Sequence, residues 1–62
     1  MIDHDFQRGD LVRVKATIYD PWDSFVGTIV QFYEDDEVEV EEICSHEIIL
    51  TYVRQLTLEP VL

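Results

Sequence analysis

Cations are scarce in this sequence. Four Lys and Arg face fourteen Asp and Glu, which leaves a formal net charge of −10 over 62 residues. With a pI near 4.1, direct nucleic-acid binding is not expected, because it requires clustered cations to displace counterions from phosphates. Cysteine is limited to Cys44, and one cysteine cannot close an internal disulfide, which excludes a stapled secreted miniprotein. No apolar run approaches the roughly 18 residues that span a bilayer. Membrane insertion is therefore not expected, although a place at the periphery of a membrane complex stays open. The opening Met1-Ile2-Asp3-His4-Asp5 lacks the basic and apolar regions of a secretory signal, so a cytoplasmic location is expected. Sustained helical periodicity, internal repeats and Ser/Gly-rich linkers are also missing.

Apolar residues still make up 47% of the chain, enough to form a core and too many for a disordered acidic tail. A chain this short is one domain, and it buries only about 60% of the surface its unfolded form exposes. It needs an efficient small barrel or a partner. Self-repulsion of the surplus anions predicts moderate stability that improves with added salt.

The remaining pattern is that of short strands. Residues 1–7 read as a lead-in. Arg8-Gly9-Asp10 reads as a turn, with Gly9 supplying positive φ and Asp10 a backbone acceptor. From Leu11, Val12, Val14 and Ala16 alternate with Arg13 and Lys15, as in a half-buried strand. Thr17 to Phe25 is a polar loop carrying Ile18, Tyr19, Pro21 and Trp22, flanked by Asp20 and Asp23. Val26 to Tyr33 is the strongest strand, with Val26, Thr28, Val30 and Phe32 on one face and Gly27, Ile29, Gln31 and Tyr33 on the other. Gly27 marks a bulge or a close backbone approach at a barrel corner. Glu34-Asp35-Asp36 is a hairpin turn. Glu37 to Ile43 is a third strand, with Val38 and Val40 inward, Glu42 inward or at the rim, and Glu37, Glu39 and Glu41 outward. Cys44 to Glu47 turns again, and Ile48 to Tyr52 is a fourth strand. Val53-Arg54-Gln55-Leu56 fits one 3₁₀ turn, and Thr57-Leu58-Glu59 is a last strand closed by Pro60. Five strands, a long first loop, two tight hairpins and a 3₁₀ turn before the last strand describe an all-β, SH3-like barrel over residues 8–60, in which closure limits exposed edges.

Four segments carry a resemblance: Phe6-x-x-Gly9-Asp10-x-Val12-Arg13-Val14, the loop with Tyr19 and Trp22, Phe25-Val26-Gly27-Thr28-Ile29-Val30, and Leu50-Thr51-Tyr52-Val53-x-x-Leu56. Together they resemble the SH3-fold accessory proteins of oxygenic photosynthesis. These are the stromal SH3-fold subunit of photosystem I, the variable chain of ferredoxin–thioredoxin reductase and, nearest in pattern, the small SH3-fold subunit of the photosynthetic NAD(P)H dehydrogenase complex. The resemblance spans residues 6–59. It implies a barrel that works by docking on a larger photosynthetic assembly. KOW, Tudor and PWWP barrels share part of the pattern. The ferredoxin-docking members present cations to an acidic partner, whereas this chain offers only Arg8, Arg13, Lys15 and Arg54. Two anionic surfaces slow encounter and cost affinity.

Two features are candidates for a binding surface. Residues 34–42 hold seven carboxylates in nine positions. On a strand, Glu37, Glu39 and Glu41 project from one face about 7 Å apart, where neighbouring charges repel by roughly 0.6 kcal/mol in water. Such a row is either a solvated face that blunts an edge or, with Asp35 and Asp36, a docking surface for a partner with a basic surface. It also resembles the charge pattern of a nucleic-acid backbone, so inhibition by mimicry is an alternative. A divalent-cation site is disfavoured, because strand spacing holds the carboxylates too far apart for one ion. The second feature is the aromatic set Tyr19, Trp22, Phe25 and Tyr52. It reads as a cover over the open end of the core, as a partner contact through Tyr19 and Trp22, or as a groove or cage of the polyproline or methyl-cation kind.

Cys44-Ser45-His46 lacks the further ligands of a zinc site, and the neighbouring Glu42 and Glu47 oppose thiolate formation. His4 between Asp3 and Asp5 reads as a mobile terminal residue. Gly-rich phosphate loops, nucleophile elbows and acid–base pairs are missing, and few residues remain to line a cavity of the ~300 Å³ that small-molecule sites need. The expectation is a non-enzymatic interaction module without a metal or cofactor, monomeric or weakly oligomeric.

Overall fold

The computed structural model describes residues 6–20 and 22–59; the expectations placed on Ile2, His4, Pro21 and Pro60 lie outside them. Alternation of apolar and polar side chains produces five strands: β1 (Leu11–Val14), β2 (Phe25–Phe32), β3 (Glu37–Glu42), β4 (Ile48–Tyr52) and β5 (Leu56–Leu58). A 3₁₀ turn over Val53–Gln55 separates β4 from β5. The strands form one antiparallel sheet in the order β4-β3-β2-β1-β5. The fold is the all-β one that the sequence predicts, with the 3₁₀ turn before the last strand.

The sheet curls because its two ends are tied together beyond β1. Thr17 bridges Thr51 of β4, the Thr51 hydroxyl donates to the Ala16 carbonyl at 2.6 Å, and the Lys15 N–H donates to the Gln55 carbonyl at 2.9 Å. Thr51 is fully buried, so its hydroxyl needs the partner it has. The enclosed core is Val12, Val14, Ile29, Val38, Val40, Val53 and Leu56, with Phe6, Phe25 and Phe32 packed against it. On β1, Val12 and Val14 face in while Arg13 is exposed, as the alternation requires.

On β2 the inward face is Gly27 and Ile29, and it does not continue to Gln31. The register against β3 shifts between Ile29 and Gln31. This bulge inserts one residue, turns Gln31 out and delivers Phe32 to the core. Gly27 sits at the corner where β3 presses on β2. A Cβ there would collide with the Glu41 carbonyl oxygen and stand 2.7 Å from Val40 Cγ1, so the position tolerates no side chain.

The turns follow from local chemistry. Gly9 takes φ +92°, and the Asp10 carboxylate accepts the Gln7 N–H at 2.8 Å. Asp35 and Asp36 have φ of 60° and 69°, the left-handed conformation that tight hairpins need and that Asp adopts more readily than most residues. In the β3–β4 turn the Glu42 carboxylate accepts the N–H groups of Cys44 and Ser45, each at 2.9 Å. That contact places Glu42 at the rim, with β3 ending there and Ile43 already in the turn.

Candidate docking surfaces

The row of carboxylates lies where the strand period puts it. Val38 and Val40 are buried, and Glu37, Glu39 and Glu41 share the opposite, outer face of β3. Each meets an apolar residue of β4: Glu37 is opposite Tyr52, Glu39 opposite Leu50 and Glu41 opposite Ile48. The outer face therefore runs as a line of anions beside a line of apolar side chains, of which Ile48 is 51% exposed. Sequence alternation identifies the anions. The apolar line is hidden in it, because β4 is apolar on both faces.

The members of the acidic row have different partners. Glu39 accepts the Tyr33 hydroxyl at 2.7 Å. This bond, with burial and the charge of Glu39 adding to it, holds the Tyr33 phenol above its ordinary value of 10.0. Glu41 lies 2.9 Å from His46 Nδ1. Glu37 has no ion pair among the described residues.

Asp36 is better described as a fold-holding residue. Its carboxylate contacts Arg54 Nη1 at 3.2 Å, and its carbonyl accepts the Val53 N–H at 2.8 Å. The hairpin turn is thus bound to the 3₁₀ turn, while Arg54 stands 4.2 Å above the Tyr52 ring. Asp35 at the turn tip is exposed.

The aromatic set does not assemble. Phe25 packs on the core and Tyr52 lies beneath Arg54. Trp22 is 90% exposed and Tyr19 76% exposed, so Trp22 does not cover the core and no four-ring cage forms. The loop that presents them is ordered by its own polar groups. Thr17 Oγ1 accepts the N–H of Tyr19 at 3.1 Å and of Asp20 at 2.7 Å, and Asp20 Oδ1 accepts the Trp22 N–H at 3.3 Å.

A cavity is present where the sequence predicts no room for one. A groove of about 630 Å³ runs between the β1–β2 loop and the β3–β4 turn. Thr17, Tyr19, Asp20, Asp23, Ser24 and Phe25 form one wall; Glu42, Ser45, Glu47, Ile48 and Ile49 form the other. It lies between surface loops and so takes nothing from the core, which is why counting core residues does not reveal it. Its lining includes four carboxylates and no cation. The neighbouring Asp20, by side-chain hydrogen bonding to the protonated form and by its charge, raises Asp23 above its ordinary value of 3.8, with slight desolvation adding to it. Glu42 moves the other way: the Cys44 and Ser45 N–H groups hold it below 4.5. Of the predicted docking residues only Tyr19 reaches the groove, while Trp22, Asp35, Asp36, Glu37, Glu39 and Glu41 do not line it.

Cys44 is exposed and free. Among the described residues no three His, Cys, Asp or Glu side chains converge as they would around a metal ion, and no helix is long and apolar enough to cross a membrane. Comparison with protein-family models, curated proteins and solved structures finds no match to this chain.

Proposed function

We propose that the chain is a non-enzymatic interaction module, a small acidic accessory subunit that docks on a larger protein assembly through a basic surface of its partner. The observation that carries this is uncompensated charge. Of the twelve described carboxylates only Asp36 and Glu59 contact an arginine and only Glu41 a histidine, and Arg13 and Arg54 are already held by Glu59 and Asp36. Nine carboxylates remain without an ion pair among the described residues, concentrated along β3, its flanking turns and the β1–β2 loop. A surface like this attracts cationic partners from a distance and repels anionic ones. Tyr19 and Trp22, exposed on an internally bonded loop, add the ring types that dominate protein interfaces. The resemblance to photosynthetic accessory barrels supports an assembly of that kind as the host.

The test is affinity capture from the source organism with three baits: the parent chain, E37Q/E39Q/E41Q, and Y19A/W22A. A partner retained by the parent and lost or weakened with each variant is the expected result. Equal retention by all three would remove both surfaces from the proposal. The even spacing of Glu37, Glu39 and Glu41 favours one further reading, in which the row imitates a nucleic-acid backbone. That reading predicts that DNA or RNA displaces the captured partner.

A further inference from the structure

The groove between the β1–β2 loop and the β3–β4 turn combines volume, charge of one sign and apolar walls. At about 630 Å³ it falls within the roughly 300–1,000 Å³ of ordinary ligand sites. Phe25, Ile48 and Ile49 give it apolar lining, and Asp20, Asp23 and Glu47 give it anions. Long cationic side chains match that combination, since Lys and Arg lay an aliphatic stem on apolar surface and keep the charge at the end. Asp20 and Asp23 stand in the same wall of the groove, a gathering of like charges that an incoming cation relieves.

A second observation specifies the form of the ligand. β4 is the terminal strand of the sheet, and among the described residues its outer edge is bridged only at Thr17–Thr51. Its first residues, Ile48 and Ile49, border the groove, so the groove runs beside an edge that no other described strand covers. Uncovered edges accept extended chains through main-chain hydrogen bonds. Negative charges along such an edge select against a second copy of this acidic chain and in favour of a basic segment.

We propose that the groove receives an extended peptide segment of the partner protein, with a Lys or Arg side chain seated between the Asp20–Asp23 loop and Glu47. This rests on the interaction-module reading and adds the place and chemistry of the grip. A blocked eight-residue alternating Lys-Thr peptide, and the same peptide with every lysine acetylated, are titrated into ¹⁵N-labelled protein at low salt. Amide shifts are expected at residues 17–20, 22–25 and 42–49 with the cationic peptide and not with the acetylated one. D20N/D23N keeps a side-chain oxygen at position 20 to accept the Trp22 N–H, and its spectral dispersion verifies the fold. It should weaken binding about fivefold for each charge removed, the factor for one contact pair in water, and E37Q/E39Q/E41Q should change it little. Equal binding of the acetylated peptide, or no shift in the groove, overturns the inference. Shifts confined to the outer face of β3, lost with E37Q/E39Q/E41Q and indifferent to D20N/D23N, overturn the groove while leaving the interaction module intact.

Discussion

Substitution of Gly27 by alanine is the sharpest probe of the barrel. The added methyl group would press on the Glu41 carbonyl oxygen, at 2.7 Å from Val40 Cγ1 and 3.0 Å from the Glu41 carbonyl carbon. Backbone atoms cannot rotate aside as a side-chain tip can, so β2 and β3 must separate at the place where β3 covers Ile29. Overpacking in a tight core costs about 1–3 kcal/mol, and a clash with the main chain belongs at the upper end, about 3 kcal/mol. A domain of this length has about 3–9 kcal/mol in total, at 0.05–0.15 kcal/mol per residue. G27A should therefore lose a third or more of its stability, seen in urea as a midpoint lowered by roughly 1–3 M at a slope of about 1–3 kcal/mol/M. G9A is the control. Its Cβ meets nothing within 4 Å, although φ is +92°, so it should cost only the roughly 1–2 kcal/mol of a left-handed alanine. A G27A protein as stable as the parent, or less affected than G9A, would refute the corner.

Further expectations concern single contacts. T51V removes the hydroxyl that closes the barrel on Ala16 and should cost about 1–3 kcal/mol; an unchanged urea midpoint contradicts the role given to that bond. Ultraviolet titration should show Tyr33 ionising above 10.0, and E39Q should lower that value by replacing the charged acceptor of its hydroxyl with a neutral amide oxygen. Glu42 ionises below 4.5 in the folded chain, so it contributes stability above that value and loses the contribution as pH falls through its folded value. E42Q should therefore be less stable than the parent at neutral pH, with the difference closing in acid. Asp23, raised above 3.8, has the opposite sign, and D23N should be the more stable form at neutral pH. Thermal stability should rise with ionic strength as surface repulsion is screened.

Strand number, the two hairpins and the 3₁₀ turn are legible in the sequence because each depends on neighbours a few residues away. Val12 and Val14, or Val38 and Val40, declare a buried face by alternation, and Gly27 declares a corner. The inward face of β2 is not legible beyond Ile29. Its bulge belongs to the pairing with β3, and an unbroken alternation from Val26 to Tyr33 conceals it. The acidic row is readable for the same local reason that β3 is. Asp36 is not separable from that row, since its partner Arg54 lies 18 positions away. The groove is the least legible feature. Its walls, near residues 17–25 and 42–49, are brought together by the pairing of β2 with β3, Gly27 opposite Glu42, and by the closure at Thr17 and Thr51, and no local pattern encodes that closure. Tyr19 stands out in the sequence as an exposed ring; Asp23 and Glu47 gain their significance only when the two loops are seen to face each other.

On the proposed reading, unneutralised carboxylates draw a basic partner to this barrel. Its most direct test is the dissociation constant of the captured partner measured across a series of sodium chloride concentrations. Affinity should fall steadily as salt rises, and the dependence should flatten for the triple Gln variant of β3. An affinity indifferent to salt and to those three substitutions would show that these carboxylates do not drive docking.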